Sequence, residues 1–135
     1  MKKERKYHFS MPIAVRDYEV DAEGIVNNAE YLHYMEHTRH EFCRAAGLSF
    51  RDMHLQGLDP VVTRVEIDYR ASLGLSDEML SCLSIERKGP LFIFYQDIYK
   101  SDGRLAVSGQ VQIACLENGK LSRGERLAEA FEKYL

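Results

Sequence analysis

Residues 16–39 have the sequence RDYEVDAEGIVNNAEYLHYMEHTR, in which an acidic loop leads into a stretch with helical apolar periodicity. The loop contains Gly24, and the periodic stretch predicts a helix over about residues 28–46. Asn27 or Asn28 can cap the start of this helix, because a short polar side chain there accepts a hydrogen bond from a free backbone N–H. The segment therefore joins a carboxylate-bearing loop to a helix N-terminus.

The predicted helix is amphipathic, and Gly47 suits the left-handed position that closes many helices. The apolar face consists of Tyr31, Met35, Thr38, Phe42 and Ala46, and the opposite face of His33, His37, His40 and Arg44. A helix with one apolar stripe buries that stripe against other elements of the fold.

Five further stretches alternate between apolar and polar residues, or are apolar throughout, as strands are. They are residues 7–17, 61–70, 78–88, 91–99 and 104–116. The first contains Pro12, which cannot donate a ladder hydrogen bond, so we expect this strand at a sheet edge. The fourth is apolar on both faces, which is typical of a central strand.

The pattern also predicts turns and the inward faces of two strands. Ser101-Asp102-Gly103 is a hairpin signal between the last two strands, and a short helix is expected near residues 124–135. The residues expected to face inward are Tyr7, Phe9, Met11, Ile13 and Val15 in the first strand, and Val61, Val65, Ile67 and Tyr69 in the second.

These elements predict one α+β domain over residues 1–135, with a long helix and mostly antiparallel strands. A single helix cannot cover both faces of the sheet in so short a chain. We therefore expect a curved sheet of about five strands wrapped around the helix, with its outer face closed by a partner subunit.

Composition excludes several classes of protein. Apolar residues make up 45% of the chain and the net charge is -3, which argues against a nucleic-acid binder that must neutralise phosphates. No stretch approaches the roughly 20 apolar residues of a membrane span, so no membrane partner is expected. The chain has three cysteines, an odd number, and they lie far apart in the sequence, at Cys43, Cys82 and Cys115. We expect reduced thiols and a cytoplasmic protein.

The acidic loop offers the residue types that acyl transfer needs. A helix N-terminus has free N–H groups and the positive end of the helix dipole, which stabilise a carbonyl oxygen as it becomes negative. Losing one such donor typically costs about 3–4 kcal/mol of barrier. Asp21, seven residues before Asn28, could attack the carbonyl carbon or activate a water. The alternative is that Asp21 is only a turn or capping residue.

Other charged residues of the segment have simpler interpretations. Asp17 is expected to pair with Arg16 or another neighbour. Glu36 and Arg39 lie three apart on the helix and are expected to form a structural ion pair, with a catalytic role for Glu36 as the alternative.

Residues 33–37 match H-x-x-E-H, the inverted zinc-peptidase motif. His33 and His37 could clasp a metal, but they lie on the face opposite the apolar stripe and no clear third ligand is present. A solvated helix face is the preferred interpretation, so no metal site is predicted.

The pattern D-x-x-G-[IV]-V-N-N-x-x-Y-x-x-Y-x-E-x-x-R runs from Asp21 to Arg39. It resembles the hotdog-fold thioesterases of the 4-hydroxybenzoyl-CoA thioesterase type, including the YbgC-like acyl-CoA thioesterases, and the strand order is similar over nearly the whole chain. The resemblance implies that Asp21 is the nucleophile or general base and that the backbone N–H of Asn28 polarises the carbonyl. The substrate-binding residues implied around them are Gly24, Val26, Asn27 and Tyr31.

The motif departs from the family at three places. Asn27-Asn28 replaces the Tyr-His of many YbgC-like members, and the Val-Asn-Asn form resembles a branch that includes acyl-carrier-protein thioesterases. That branch often has histidine where this chain has Ile25, and Glu23 stands where a small or apolar residue is usual. The acyl group and its carrier therefore remain open.

A basic turn, Arg87-Lys88-Gly89-Pro90, separates two predicted strands. In the resembling family, basic residues near this turn and near the chain end bind the nucleotide phosphates of coenzyme A. Arg87 and Lys88 are therefore candidate substrate-binding residues, with Lys120 and Arg123 as weaker ones. The alternative is a plain solvated turn.

The resemblance implies hydrolysis of an acyl-CoA without a metal or redox cofactor, coenzyme A being part of the substrate. It also implies a homodimer or homotetramer with the acyl chain between subunits. The alternatives are an acyl-carrier-protein thioesterase and a non-catalytic acyl-CoA binding module. A hotdog dehydratase is disfavoured because no histidine lies at the glycine turn.

Overall fold

The computed structural model describes residues 6–135. The strands are β1 (Phe9–Ala14), β2 (Leu58–Tyr69), β3 (Glu78–Lys88), β4 (Leu91–Lys100), β5 (Leu105–Glu117) and the two-residue β6 (Lys120–Leu121). The helices are α1 (Glu30–Ala45), α2 (Phe50–Leu55) and α3 (Glu125–Ala130), with short 3-10 turns at Asp17–Glu19 and Glu132–Tyr134.

The five long strands form one antiparallel sheet in the order β1-β3-β4-β5-β2, which curls around α1. The predicted α+β hotdog architecture is confirmed. So are the central place of β4 and the edge place of β1, the strand that carries Pro12. The hairpin at residues 101–103 is present, since the N–H of Gly103 donates to the carbonyl of Lys100 at 2.9 Å.

The helix α1 begins at Glu30 rather than at residue 28. Asn27 causes the delay, because its side-chain Oδ1 accepts from the N–H of Ala29 at 3.0 Å and its carbonyl accepts from the N–H of Glu30 at 2.9 Å. The N-cap residue of α1 is Ala29, which has no side-chain cap, so the predicted cap at the helix start is absent and Asn27 instead closes the turn before it.

The end of α1 follows the prediction closely. Gly47 has a φ of +80°, and its N–H donates to the carbonyl of Arg44 at 3.0 Å. The N–H of Leu48 donates to the carbonyl of Cys43 at 2.8 Å. These two bonds form the Schellman closure that glycine favours.

The inner face of the sheet buries a row of α1 residues: Tyr31, Tyr34, Met35, Thr38, Phe42 and Cys43. A Cβ atom on Gly109 of β5 would lie 2.7 Å from Cε of Met35 and 3.1 Å from the carbonyl oxygen of Glu66. A side chain at position 109 would crowd the tip of Met35 and the Glu66 carbonyl, so glycine suits the contact between the helix and the middle of the sheet.

Polar contacts fix the position of α1 on the sheet. The fully buried Gln96 of β4 donates from Nε2 to the carbonyl of Met35 at 2.9 Å and accepts from Nη1 of Arg39 at 3.0 Å. The ion pair expected between Glu36 and Arg39 is not among the contacts of residues 6–135. Instead, Arg39 turns towards the sheet, where it donates to Gln96, and burial lowers the pKa of its guanidinium.

The edge strand β2 differs from the prediction because a bulge shifts its register between Val62 and Arg64. Val62, rather than Val61, therefore joins Val65 and Tyr69 on the helix side of the sheet. There they are paired with buried residues of β5, yet they are 49%, 40% and 49% exposed. The helix-side edge of β2 is thus an exposed apolar surface, separate from the outer sheet face on which the sequence argument predicts a partner subunit.

The orientation of Tyr7 also differs from the prediction. Instead of facing inward with the row of β1, its hydroxyl donates to Oδ2 of Asp97 at 2.6 Å and lies 2.6 Å from the hydroxyl of Tyr99. The helix α2, the strand β6 and the turn at Asp17–Glu19 were not predicted.

Cys43, Cys82 and Cys115 are buried and unpaired. No helix within residues 6–135 is long and apolar enough to cross a membrane.

We expect Gln96→Leu to lower the free energy of unfolding by about 1–3 kcal/mol, because the Met35 carbonyl and the Arg39 guanidinium both lose a buried partner. Urea unfolding followed by circular dichroism measures this change. Gln110→Leu, on the exposed side of β5, is the matched control and should change stability by less than about 0.5 kcal/mol. Equal effects of the two variants would contradict the anchoring role of Gln96.

Candidate active site

The loop before α1 folds into a tight turn around Gly24. The N–H of Gly24 donates to the carbonyl of Asp21 at 3.0 Å, and the N–H of Asp21 donates to the carbonyl of Ile25 at 2.9 Å. Gly24 has a φ of +80°, a conformation that a side chain disfavours. The turn therefore folds the chain back so that Asp21 lies beside the start of the helix.

The Asp21 side chain is exposed and only partly engaged. Its Oδ1 accepts from the N–H of Glu23 at 2.8 Å. Within residues 6–135, no donor is within hydrogen-bonding distance of its Oδ2. One carboxylate oxygen is thus held by the turn while the other is available to a substrate or a water.

Glu19 holds this loop in place from beneath. Its carboxylate is 4% exposed, and Oε1 accepts from the hydroxyl of Tyr34 at 3.0 Å and from the N–H of Arg16 at 2.7 Å. Its backbone carbonyl accepts from the N–H of Asn27 at 3.1 Å. Burial, followed by the bond to Glu19, raises the pKa of Tyr34 far above the ordinary tyrosine value.

The sequence did not distinguish Glu19 from the other acidic residues of the loop. Arg16 also makes its ion pair with Glu19, at 3.7 Å, rather than with Asp17 as expected. The sequence does contain one signal for Glu19, which is its partner. Tyr34 lies fifteen residues later, on the buried face of the helix and one turn from its start.

The far side of the loop is attached to the segment that follows β2. The N–H of Val26 donates to the carbonyl of Leu73 at 2.8 Å, and the N–H of Leu73 donates to the hydroxyl of Tyr31 at 3.1 Å. Burial raises the pKa of Tyr31. Val26 and Tyr31 are therefore buried supports whose edges line the groove beside Asp21.

Asn28 is held by one contact that leaves its N–H available. Its carbonyl accepts from the hydroxyl of Tyr69 at 3.0 Å. Among residues 6–135, the Asn28 N–H donates to no acceptor, whereas Asn27 donates to Glu19 and Ala29 to the Asn27 side chain.

A groove of about 390 Å³ brings these groups together. Its lining comprises Asp21, Ile25, Val26, Asn28, Tyr31, Tyr69, Arg70, Ala71 and Ser72. Of the predicted site residues, it contains Asp21, Asn28, Val26 and Tyr31. Gly24 and Asn27 shape the turn and the helix start that border it.

Comparison with known proteins places the chain in a family. Residues 15–133 match the model of the thioesterase-like superfamily. The chain belongs to this superfamily. The prediction of a thioester hydrolase is confirmed by this membership.

Three relatives illustrate the similarity. The chain is 33% identical to the acyl-CoA thioesterase YbgC of Haemophilus influenzae over 117 residues, covering 84% of each chain. It is 38% identical over 61 residues to an acyl-acyl carrier protein thioesterase, ATL2, of Arabidopsis thaliana, covering 45% of this chain and 32% of that one. The probable thioesterase YbaW of Escherichia coli has a structure with a TM-score of 0.81 at 26% identity, covering 94% and 98% of the two chains.

The thioesterase has a second cavity, of about 270 Å³, under α2 and α3. Its polar lining residues, Glu36, Arg39 and His40, all come from α1. The other lining residues are Cys43, Phe50, Met53, Pro60, Val62, Phe94, Ile113, Leu127 and Phe131. Sequence reasoning missed this cavity because its walls come from six separate elements.

The basic turn lies far from Asp21 within one chain. Its two basic residues end β3, whereas the Asp21 loop contacts Gly74, just before β3 begins, and the eleven residues of the strand span about 33 Å. Arg87 donates from Nε to the carbonyl of Gly89 at 2.9 Å and from Nη2 to the carbonyl of Arg123 at 2.9 Å, and lies 3.3 Å from Glu125. These contacts attach the turn to the segment that precedes α3, while Lys88 is exposed.

The histidine motif of α1 is arranged as a solvated face. His33 lies 3.1 Å from Glu30, whose carboxylate raises the pKa of the imidazole, and His37 is exposed. Within residues 6–135, no three His, Cys, Asp or Glu side chains are grouped as metal ligands.

We expect Glu19→Ala to loosen the loop that carries Asp21, because the Tyr34 hydroxyl and the Arg16 N–H lose a buried acceptor. A local loss of about 1.4 kcal/mol speeds amide exchange tenfold. Hydrogen exchange of residues 19–28 measures this, and thioesterase activity should fall in parallel. Asp17→Ala, an exposed neighbour, is the control. Unchanged exchange in Glu19→Ala would show that the loop is held by other contacts.

Proposed function

We propose that this thioesterase hydrolyses acyl-coenzyme A thioesters, with Asp21 as the catalytic carboxylate and the Asn28 N–H as the oxyanion donor. The observation that carries the proposal is the shared groove of these two groups. An available carboxylate oxygen and an unbonded N–H at a helix start line the same groove. The 33% identity to an acyl-CoA thioesterase over most of both chains supports the choice of substrate.

The reaction follows from these positions. The thioester carbonyl oxygen accepts from the Asn28 N–H, whose polarity is reinforced by the dipole of α1. Asp21 removes a proton from a water as the water oxygen attacks the carbonyl carbon. The C–S bond then breaks, and the coenzyme A sulfur leaves with the proton that Asp21 took from the water, which restores the carboxylate. Alternatively, Asp21 attacks directly and forms an anhydride, which water hydrolyses. Both routes proceed without a metal or redox cofactor.

The surrounding residues have supporting functions in this proposal. Gly24 permits the turn that brings Asp21 to the helix start, and Asn27 prearranges the first helical turn. Val26 and Tyr31 form the wall of the groove that contacts the thioester end of the substrate.

A second candidate carrier is supported by the match to ATL2, which spans 61 residues. An acyl carrier protein presents the same thioester on the same pantetheine arm, so Asp21 and Asn28 would act on it unchanged. Assaying one acyl group on coenzyme A and on acyl carrier protein separates the two: the physiological carrier should give the higher kcat/KM.

Asp21→Asn is expected to keep the fold, since the side chains are nearly isosteric, and to lower kcat by at least about 10²-fold. The loss is larger if Asp21 is the nucleophile. Steady-state kinetics measures this loss on an acyl-CoA that the unmodified enzyme hydrolyses, and circular dichroism checks the fold. Asp17→Asn is the matched control and should stay within a few-fold of the unmodified enzyme. Turnover by Asp21→Asn near the unmodified rate would remove Asp21 from the mechanism.

The basic turn is proposed to contact the phosphates of coenzyme A. Lys88 is the more direct ligand, because Arg87 already donates to the carbonyls of Gly89 and Arg123 and forms an ion pair with Glu125. Lys88→Ala should raise KM for an acyl-CoA several-fold with little change in kcat, since a phosphate contact binds ground state and transition state alike. The same acyl group on a truncated pantetheine thioester should show no such defect. Lys133→Ala, outside the turn, is the control, and equal defects on both substrates would contradict the assignment.

A further inference from the structure

We propose that Tyr69 is a positioning residue for the oxyanion donor. Its hydroxyl donates to the carbonyl of Asn28 at 3.0 Å and so fixes the peptide that follows the donor N–H. This inference rests on the proposed thioester hydrolysis and adds one claim to it. The rate of the chemical step depends on a hydroxyl group of the sheet that does not itself touch the reacting atoms.

Two peptide groups meet at the Cα atom of Asn28. The first, between Asn27 and Asn28, carries the donor N–H. Its carbonyl, on Asn27, accepts from the N–H of Glu30 at 2.9 Å. In a planar trans peptide the N–H and the C=O point in opposite directions. Because this carbonyl points into the helix, the N–H of Asn28 points out of the helix N-terminus.

The second peptide, between Asn28 and Ala29, is held at both of its polar groups. Its N–H, on Ala29, donates to Oδ1 of Asn27 at 3.0 Å. Its carbonyl, on Asn28, accepts from Tyr69. The two peptides share one Cα atom, so only the two torsion angles at that atom separate their orientations. A fixed second peptide therefore limits how far the donor N–H can swing.

The contact from Asn27 is local, whereas the contact from Tyr69 comes from the sheet. The Asn27 side chain belongs to the same turn as the peptide that it bonds, so the two can move together. Tyr69 is the last residue of β2. Just after it, the N–H groups of Arg70 and Ala71 donate to the carbonyl of Ala106 at 2.8 and 3.1 Å. The Tyr69 hydroxyl thus ties the donor peptide to a frame outside the loop.

The ring of Tyr69 is held as well as its backbone. It meets the ring of Tyr31 edge-on, with 5.6 Å between the ring centroids and 73° between the planes. Tyr31 is buried, and its hydroxyl accepts from the N–H of Leu73 at 3.1 Å. A side chain packed in this way loses less conformational entropy on forming a hydrogen bond than a freely rotating one does. The Tyr69 hydroxyl is therefore prearranged to meet the Asn28 carbonyl.

The ring and the hydroxyl of Tyr69 predict different kinetics. The ring lines the groove, and the hydroxyl bonds a backbone carbonyl. A wall contact acts equally on the bound substrate and on the transition state, so its loss raises KM. A displaced oxyanion donor weakens the transition state, in which the carbonyl oxygen becomes negative, so its displacement lowers kcat.

The first test separates these two parts. Tyr69→Phe removes the hydroxyl and keeps the ring. On an acyl-CoA that the unmodified enzyme hydrolyses, kcat should fall about tenfold or more with KM within about twofold, because an oxyanion donor contributes about 10²–10³-fold and a displaced one loses part of that. Tyr69→Leu removes the ring too and should raise KM in addition. Circular dichroism checks the fold of both variants.

Tyr99→Phe is the matched control. It removes a hydroxyl that lies 2.6 Å from the hydroxyl of Tyr7, and Tyr99 is not among the residues that line the groove. Both kcat and KM should stay within about twofold of the unmodified values, since the loss of one hydrogen bond elsewhere affects stability and not the donor.

Hydrogen exchange follows the peptide without relying on activity. The Ala29 N–H should exchange about tenfold faster in Tyr69→Phe, a change of about 1.4 kcal/mol, because the carbonyl of the same peptide is released. The N–H of Leu48, which closes the other end of α1, should exchange at the same rate in both proteins. Faster exchange at both positions would indicate a general loss of stability and would contradict a local clamp.

A double-mutant cycle shows whether two side chains hold one peptide. Asn27→Ala removes the acceptor of the Ala29 N–H. If Tyr69 and Asn27 clamp the same peptide, the double variant should lose less in kcat than the product of the two single losses, since the second change finds the peptide already free. Losses that simply multiply would show that the two side chains act separately and would overturn the clamp.

A Tyr69→Phe enzyme with kcat within twofold of the unmodified value, or with its whole loss in KM, would overturn the positioning role and leave the ring as a wall. Unchanged exchange of the Ala29 N–H would overturn it equally. Failure of the proposed function gives a different result: the unmodified protein would then hydrolyse none of the acyl-CoAs from butyryl to palmitoyl, and this inference would fail with it.

Discussion

The packing of α1 into the curled sheet is the constraint on which the other features depend. Met35 lies against the backbone at Gly109, while Gln96 and the Thr38–Ser81 pair, whose hydroxyl oxygens are 2.7 Å apart, supply polar contacts at fixed points. Apolar burial alone would allow the helix to slide, since it has little directionality. The hydrogen bonds select one position, and that position determines where the helix N-terminus meets the preceding loop.

The loop that carries Asp21 is consequently built outward from the helix. Tyr34, one turn inside α1, gives Glu19 a buried partner, and Tyr31 receives the N–H of Leu73. The loop is thus clamped between the helix and the segment after β2, with little need for apolar burial of its own. This explains how Asp21 can be exposed to solvent and still be held in a defined position.

Much of this could be predicted from the sequence where the signal is local. Alternation located the five strands, Gly47 located the end of α1, and the spacing from Asp21 through Gly24 to Asn28 located the groove. Features that depend on residues distant in the chain could not be found. The contact of Arg87 with the Arg123 carbonyl spans 36 positions. The bulge after Val62 is an irregularity of the backbone that the pattern of side chains does not predict.

The buried anchor at Glu19 has a consequence for how such a domain can diversify. Glu19, which shapes the loop, and Asp21, the proposed catalytic residue, are two positions apart, and only Glu19 is packed. A replacement at position 21 would change the group that the loop presents to the groove, while the support from Glu19 persisted. New chemistry at this site could therefore arise by single steps through folded intermediates, without the loop having to be rebuilt each time.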